Sequence, residues 1–489
     1  MPKLLNTLDE LPSEVQTPAY KVDEHGIGIV HLGLGAFHRA HQAFYTDLAM
    51  SASGGDWRIL GVSLRDSQIP RKVNAQNGLY TVITRDGRHD CARVIGSISS
   101  ALSGSQSASA LLEVMCSPNT HIVSVTVTEK GYGINRTHGG IDRSNPMIQH
   151  DLEHQDKPTG VIGFIVKALE LRQSRGIPAF TILCCDNLPN NGTFVKHGVL
   201  DFASTVNSHT ARWIEHNARF PSTMVDRITP AQSPETCALA ESIVGRTDLL
   251  AIGTEPFHQW IIEDDFSMGR PDWAAVGAIL TNNVAPFEAM KLRMLNGAHS
   301  LLAYSGVLAG HAFVRDAMQD QSLVTLVTRY MLSAAQTLAP IPSIDFDTYA
   351  DELIRRFSNP AIAHATIQIA ADGSQKMPQR VFEPALESLE KKLSIRPFAF
   401  ATAMWMFFCK QVRNHQMTYL VADPISTSLI EAANEKSISE IIAAFGDIPG
   451  LLPAGLTSSE LWNSELNDVL TRLHRSGVRH TLDAEVVQN

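Results

Sequence analysis

Apolar and polar positions fall into two textures along the chain. In the first, short β-branched runs alternate with helix-period stretches. Gly28–Leu32 (GIVHL), Trp57–Leu64 (WRILGVSL), Val94–Ser97, His121–Thr128 (HIVSVTVT) and Ala179–Cys185 (AFTILCC) read as strands, and Ala36–Met50 and Gly160–Arg175 read as helices. That alternation predicts a parallel sheet covered on both faces. From about Pro286 long 3.6-periodic stretches take over, interrupted at Asn359-Pro360, Arg396-Pro397, Asp423-Pro424 and Leu452-Pro453. The expectation is therefore an α/β fold with an N-terminal domain over residues 1–285 and a mostly α-helical domain over 286–489. The first twenty-five residues, polar and dotted with proline, read as an arm on the surface. Phe398–Cys409, the longest apolar stretch, is about half a membrane span and reads as a core helix.

Composition narrows the picture. A chain of 489 residues exceeds one ordinary core, and 44% hydrophobic with 18% charged residues is a globular balance rather than a disordered one. A formal net charge of −10 repels polyanions, which argues against nucleic acid as a partner. The six cysteines (Cys91, Cys116, Cys184, Cys185, Cys237, Cys409) form no C-x-x-C pair and are read as reduced, as in a cytoplasm. The opening MPKLLNTLDELPSE has no apolar signal region, and no membrane segment is expected. No Cys/His/Glu set is spaced for a catalytic metal, which argues against a zinc enzyme. The oligomeric state is left open, a monomer being compatible with the pattern.

Between the first strand and the following helix lies Gly33-Leu34-Gly35-Ala36-Phe37-His38, a Gly-x-Gly turn where a dinucleotide pyrophosphate would rest. His38 stands where the usual third glycine would be, so the fingerprint is incomplete. The second strand ends in Arg65-Asp66. Asp66 would bind the ribose hydroxyls of NAD, whereas Arg65 would meet the extra phosphate of NADP, and a plain solvated turn is the alternative. The reading leans to NAD, with NADP possible. Thr128 and Lys130, in the run Thr126–Tyr132, complete the cofactor candidates.

The chemical end is Phe287–His299 (FEAMKLRMLNGAH). Read as one α-helix at 100° per residue, Glu288, Lys291 and His299 share an arc of roughly 80° with Asn296 on its margin. Such a stripe is either a pocket wall or a solvated Glu–Lys face. A second polar cluster, Asp186–Gly192 (DNLPNNG), follows the strand Ala179–Cys185, at the end of a parallel strand where such sheets place ligands. Met224–Ile228 (MVDRI) is a third.

These runs resemble the long-chain mannitol dehydrogenase family: His31–His41 (HLGLGAFHRAH), Thr126–Tyr132 (TVTEKGY), Cys185–Asn187, Met224–Ile228, Glu255–Asp264 and Lys291–His299. The likeness extends from about residue 27 to 410, and its Lys-x₄-Asn-x₂-His spacing is specific. It implies a Rossmann-type N-terminal domain, a helical C-terminal domain, no catalytic metal, and a hydride passed between a sugar ketone and its secondary alcohol. It also implies Lys291 as general acid/base, Asn187 and Asn296 as polarisers of the reacting oxygen, His299 on substrate hydroxyls and Asp226 as a substrate contact. A lysine works as that base near neutrality only if its pKa falls by roughly three units, about 4 kcal/mol. Each amide would contribute on the order of 3 kcal/mol to the developing alkoxide. Glu288, one turn earlier, could relay the proton to water.

The stretch after Asn359-Pro360 ranks the candidate substrates. Polyol-specific members carry an Asp and then an Arg there; this chain has His364 and Gln368. Asp372–Arg380 (DGSQKMPQR) looks more like the mannonate-oxidising branch, although the arginines that usually flank its histidine are Ala363 and Ala365 here. Fructuronate reductase chemistry (D-mannonate and NAD to D-fructuronate and NADH) is ranked first, and mannitol 2-dehydrogenase or a related polyol activity second. A non-catalytic sugar- or nucleotide-sensing paralogue is the alternative of another class. Retention of Lys291, Asn187 and Asn296 weighs against it.

Overall fold

The computed structural model describes residues 3–64, 66–104, 107–127, 129–135, 139–342, 344–411 and 421–488, with Glu129 and Gln411 described by backbone alone. Arg65 and Thr128, two of the cofactor candidates, lie outside the described residues. The chain divides into two compact units, Met1–Ala285 and Pro286–Asn489.

The first unit contains β1 (Ile27–Leu32), β2 (Arg58–Ser63), β3 (Tyr80–Arg85), β4 (Asp90–Ile95), β5 (Ile98–Ser103), β6 (Ile122–Val125), β7 (Thr181–Cys184), β8 (Thr223–Asp226), β9 (Ile252–Thr254), β10 (Gln259–Glu263) and β11 (Ile279–Thr281). Its main sheet is parallel, in the order β5-β2-β1-β6-β7. Alternate side chains of β1 enter opposite cores. Val30 and Leu32 pack with Phe164 and Ile165 of the helix Val161–Ser174, while Ile29 joins Tyr45, Trp260 and Trp273 on the other face. Both faces are covered, which is why these strands read as near-continuous apolar runs. The order of strand addition switches sides between β1 and β6, with β2 and β5 on one side and β6 and β7 on the other, the position at which open parallel sheets bind ligands.

Three expectations are corrected. The helix expected over Ala36–Met50 is two, Ala36–Ala40 and Gln42–Ser53. They meet at His41 (φ −122°, ψ −87°), whose Nε2 lies 3.0 Å from the Gln259 carbonyl. The strand expected at Val94–Ser97 begins earlier, at Asp90, and pairs antiparallel with β3. The N-terminal arm is not a loose surface element. Leu4 bridges to Thr247 and Gln16 to Arg93, and Leu5 and Val15 are buried with Leu79, Val94 and Val244.

The second unit is helical. The apolar helix Arg396–Gln411 lies in its core, and no helix among the described residues is long and apolar enough to cross a membrane. The lysine-bearing segment changes pitch twice: α-helix over Ala285–Met290, π-helix over Lys291–Asn296, then α-helix over Gly297–Ala309. A second π-helix covers Pro378–Phe382.

Candidate active site

In the first unit the glycine turn lies at the carboxyl end of β1. Gly33 has φ +105°, and a Cβ there would stand 2.0 Å from the Thr126 carbonyl oxygen just beyond β6, so only glycine fits. Across the same junction His31 places Nε2 2.9 Å from Thr126 Oγ1 and Nδ1 2.8 Å from Ser124 Oγ. Its ring stacks on that of His38 at 3.4 Å between centroids. His38 therefore occupies the third-glycine position as a buried neutral imidazole; burial holds its pKa well below the ordinary histidine value. Gly35 is different. It is exposed, and a Cβ there would meet nothing nearer than Gly33 O at 3.7 Å. No protein atom requires glycine at that point, whereas a ligand approaching the backbone would. Ala36 and Phe37 are half-buried beside it, and Lys130 is exposed. Asp66, exposed beyond the end of β2, accepts a hydrogen bond from Gln68 N (2.7 Å) on one carboxylate oxygen.

Asn187 follows β7 and is exposed, and its neighbour Asp186 is fixed on three sides. Val127 N (2.9 Å) and the Tyr132 hydroxyl (2.6 Å) donate to the Asp186 carboxylate, and Asn191 Nδ2 donates to the Asp186 carbonyl (3.0 Å). The same Asn191 amide donates to the Thr223 carbonyl at 2.9 Å, tying the loop to β8. Asp226 ends β8 and is buried. Next to it, buried Arg227 donates to the Ala40 carbonyl at 2.5 Å and lies 4.5 Å over the Phe44 ring.

In the second unit Lys291, Asn296 and His299 are all buried. The single-helix projection at 100° per residue is corrected here, because Lys291–Asn296 is π-helical. In an α-helix the fifth residue on lies about 140° round the axis. A π-turn closes i to i+5, so Asn296 comes over Lys291 instead of on the margin of the stripe. Glu288 is half-buried one turn earlier. His299 packs on Phe357 (4.4 Å between centroids) and meets the His364 ring edge-on at 5.4 Å. Burial, reinforced by the positive charges of His364, Arg380, Arg356 and Lys291, holds His299 well below the usual imidazole pKa. Asn296 Nδ2, His299 Nε2 and His364 Nδ1 are buried without a hydrogen-bond partner among the described residues. Buried polar atoms left open in this way fit a polar ligand.

Lys291, Asn296, His299 and His364 are thus brought together, while Gln368 lies on an exposed surface of the same unit. Arg356 and Arg380 escaped the sequence reading. Arg356 sits near the end of the helix Phe346–Phe357, where a basic residue is ordinary, and only its burial sets it apart. Among the described residues no three His, Cys, Asp or Glu side chains are grouped to hold a metal ion.

A Rossmann-type sheet with a glycine crevice at its switch point, and a helical unit presenting a buried lysine among open amide and imidazole donors, define an oxidoreductase. The family model for the mannitol dehydrogenase Rossmann domain matches residues 27–275, and that for the mannitol dehydrogenase C-terminal domain matches residues 283–450. The chain belongs to the mannitol dehydrogenase family, oxidoreductases acting on CH–OH groups. It is 44% identical over 402 residues to D-mannonate oxidoreductase of Escherichia coli (strain K12), covering 81% of this chain and 83% of that one. With the uncharacterized oxidoreductase YeiQ of the same organism it shares 41% over 446 residues, 89% and 91% of the two chains. The Pseudomonas fluorescens mannitol 2-dehydrogenase ternary complex with NAD and D-mannitol superposes with a TM-score of 0.88 at 36% identity, covering both chains fully.

Proposed function

We propose that this protein is an NAD-dependent dehydrogenase that interconverts a sugar acid and its ketone, with fructuronate reductase (D-mannonate to D-fructuronate) as the reaction. The observation that carries the acid is the pair of guanidinium groups near His299: Arg356 and Arg380 both act on it, a setting suited to a carboxylate-bearing substrate. The identity to D-mannonate oxidoreductase supports the same choice. Mannitol oxidation is the second reading, favoured by Ala363 and Ala365 beside His364, which put no further cation there.

Gly33, Gly35, Ala36 and Phe37 would hold the dinucleotide phosphates, Asp66 the adenosine ribose, and Arg65, Thr128 and Lys130 the remaining contacts. The open space over Gly35 fits that group. When bound, the nicotinamide supplies the acceptor for the carbinol hydride. Lys291, as the neutral amine, takes the hydroxyl proton. The amide N–H of Asn296 would donate to that oxygen as it gains negative charge and then becomes the carbonyl, and the family resemblance gives Asn187 the same role. His299 and His364 donate to neighbouring hydroxyls, Asp226 makes a further substrate contact, and Glu288 returns the lysine proton to solvent; Gln368, on an exposed surface, is given no part in it. The NAD-over-NADP preference, independence of zinc and a cytoplasmic setting belong to the same reading. A panel of mannonate, mannitol, arabinitol and sorbitol, each with NAD and NADP before and after exhaustive EDTA dialysis, tests it. Mannonate with NAD should give the highest kcat/KM and survive dialysis; activity lost to EDTA and restored by zinc would overturn the mechanism.

A further inference from the structure

Arg380 lies in the second π-helix of the helical unit. Its Nη1 donates to the Asn296 carbonyl (3.3 Å) and to Ser300 Oγ (3.2 Å), and its own carbonyl accepts from the Tyr330 hydroxyl at 2.7 Å. The guanidinium thus rests on the backbone of the residue whose side chain is a proposed oxygen polariser. No carboxylate pairs with it among the described residues; the charges acting on it come from Tyr304 and Tyr330, and burial pulls its pKa down to about 10. Every other arginine of this unit with a comparable setting is differently satisfied where its contacts are defined. Arg293 is bidentate to Glu387, and Arg396 and Arg472 share Glu485. The nearby acids are engaged too: Asp423 accepts from Ser374 N, Ser374 Oγ and Ile425 N. Lys376, the other cation close by, directs its ammonium at the Ile369 and Ala371 carbonyls.

A half-buried guanidinium that is turned from bulk water and has no paired anion is costly until one arrives. Arg380 keeps partial exposure, and its Nε and Nη2 donors are not among the atoms sealed from solvent without a partner. Around it, Asn296 Nδ2, His299 Nε2 and Tyr304 OH are polar atoms that have no hydrogen-bond partner among the described residues. Planar donors of this kind match a carboxylate bidentately.

We infer that Arg380 is the specificity residue that receives the carboxylate of the sugar-acid substrate, separating aldonates from neutral polyols. This rests on the reading of Lys291 and Asn296 as the reacting pair. Arg380→Met should lower the ratio of kcat/KM for D-mannonate over D-mannitol by roughly tenfold to a hundredfold, mainly through KM for mannonate, and Arg380→Lys should recover part of it. Reading the ratio removes any effect common to both substrates through the Asn296 backbone. If Arg380→Met does not fold, the intact enzyme carries the test, because D-mannonamide, neutral but of the same shape, should lose a comparable factor against D-mannonate. Mannonate turnover with an unchanged ratio in both variants, or equal use of acid and amide, overturns the inference alone. Failure of the intact enzyme on every sugar acid overturns the substrate reading, and the inference with it.

Discussion

Lys291 and Asn296 open and close one stretch of π-helix, five positions apart, and Arg293 between them is bound by Glu387 (2.9 and 2.5 Å). The wider turn does what an α-turn would not: it brings the amine and the amide to the same side. Thr337 adds an acceptor to Arg293 at 2.9 Å, so the irregular turn is held from its outer side by an ion pair and a hydroxyl.

Replacing Lys291 with Ala is expected to cut turnover by roughly 10²–10⁴, the span of general acid–base catalysis. Alcohol oxidation should rise with pH in the parent enzyme as the amine loses its proton, and that ionisation should vanish in the variant. Small amines added to Lys291→Ala should restore part of the rate. Near-normal turnover with an unaltered pH profile would move the base elsewhere.

The two glycines of the turn should respond differently. Gly33→Ala puts a side chain at φ +105° and 2.0 Å from a backbone oxygen, which no rotamer relieves. A loss of stability on the order of 3 kcal/mol is expected. Gly35→Ala meets open space, so its Tm should stay near the parent value while NADH affinity, read by fluorescence titration, falls. Equal destabilisation by both changes would remove the argument that a ligand uses the space over Gly35.

Asp66 has one observed contact and one proposed role to separate. One carboxylate oxygen accepts from Gln68 N, so Asp66→Asn keeps an acceptor for the turn while removing the charge. The ratio of kcat/KM with NAD to that with NADP should drop about tenfold or more. An unchanged ratio would assign ribose recognition to another group.

Acid should destabilise the fold through its buried histidines. Burial lowers His31 and His41 to about 3 and His258 to about 4, and holds His38 and His299 well below normal. The unfolded chain binds these protons near the ordinary value of about 6.5, so stability is full above that pH and is lost as pH falls toward 3. At pH 5, His31 and His41 would each remove about 2 kcal/mol. Denaturation midpoints between pH 7.5 and 5 test this, and a flat profile would show the imidazoles charging within the native protein.

The sheet was readable because β1, β2, β6 and β7 carry apolar β-branched residues between helix-period segments, and Gly33 ends β1. Strands β3, β5, β9 and β10 were not read; the β3–β9 pairing, Val82 opposite Ile252, joins segments far apart along the chain, which local patterning does not report. The break at His41 has no local helix breaker and depends on a carbonyl 218 positions away. At the site, Lys291, Asn296 and His299 were found by spacing, but their mutual direction was misjudged because a periodicity argument assumes a constant pitch. Arg380 ends the Asp372–Arg380 stretch that resembles the mannonate-oxidising branch, and only its neighbours reveal it as a cation with no paired carboxylate among the described residues.

The N-terminal strap carries a consequence for biosynthesis. Leu4 bridges to Thr247, and β3 completes its parallel pairing with β9, which ends at Thr254. The strands β1, β2, β5, β6 and β7 can assemble from the centre outward as they leave the ribosome. Residues near the start must instead wait for a partner about 240 positions later, on the order of ten to fifty seconds at ordinary elongation rates. During that interval Leu5 and Val15 have Leu79 and Val94 beside them but not Val244 or the Thr247 bridge, so a nascent chain paused before residue 244 should be a better chaperone client than one released beyond it.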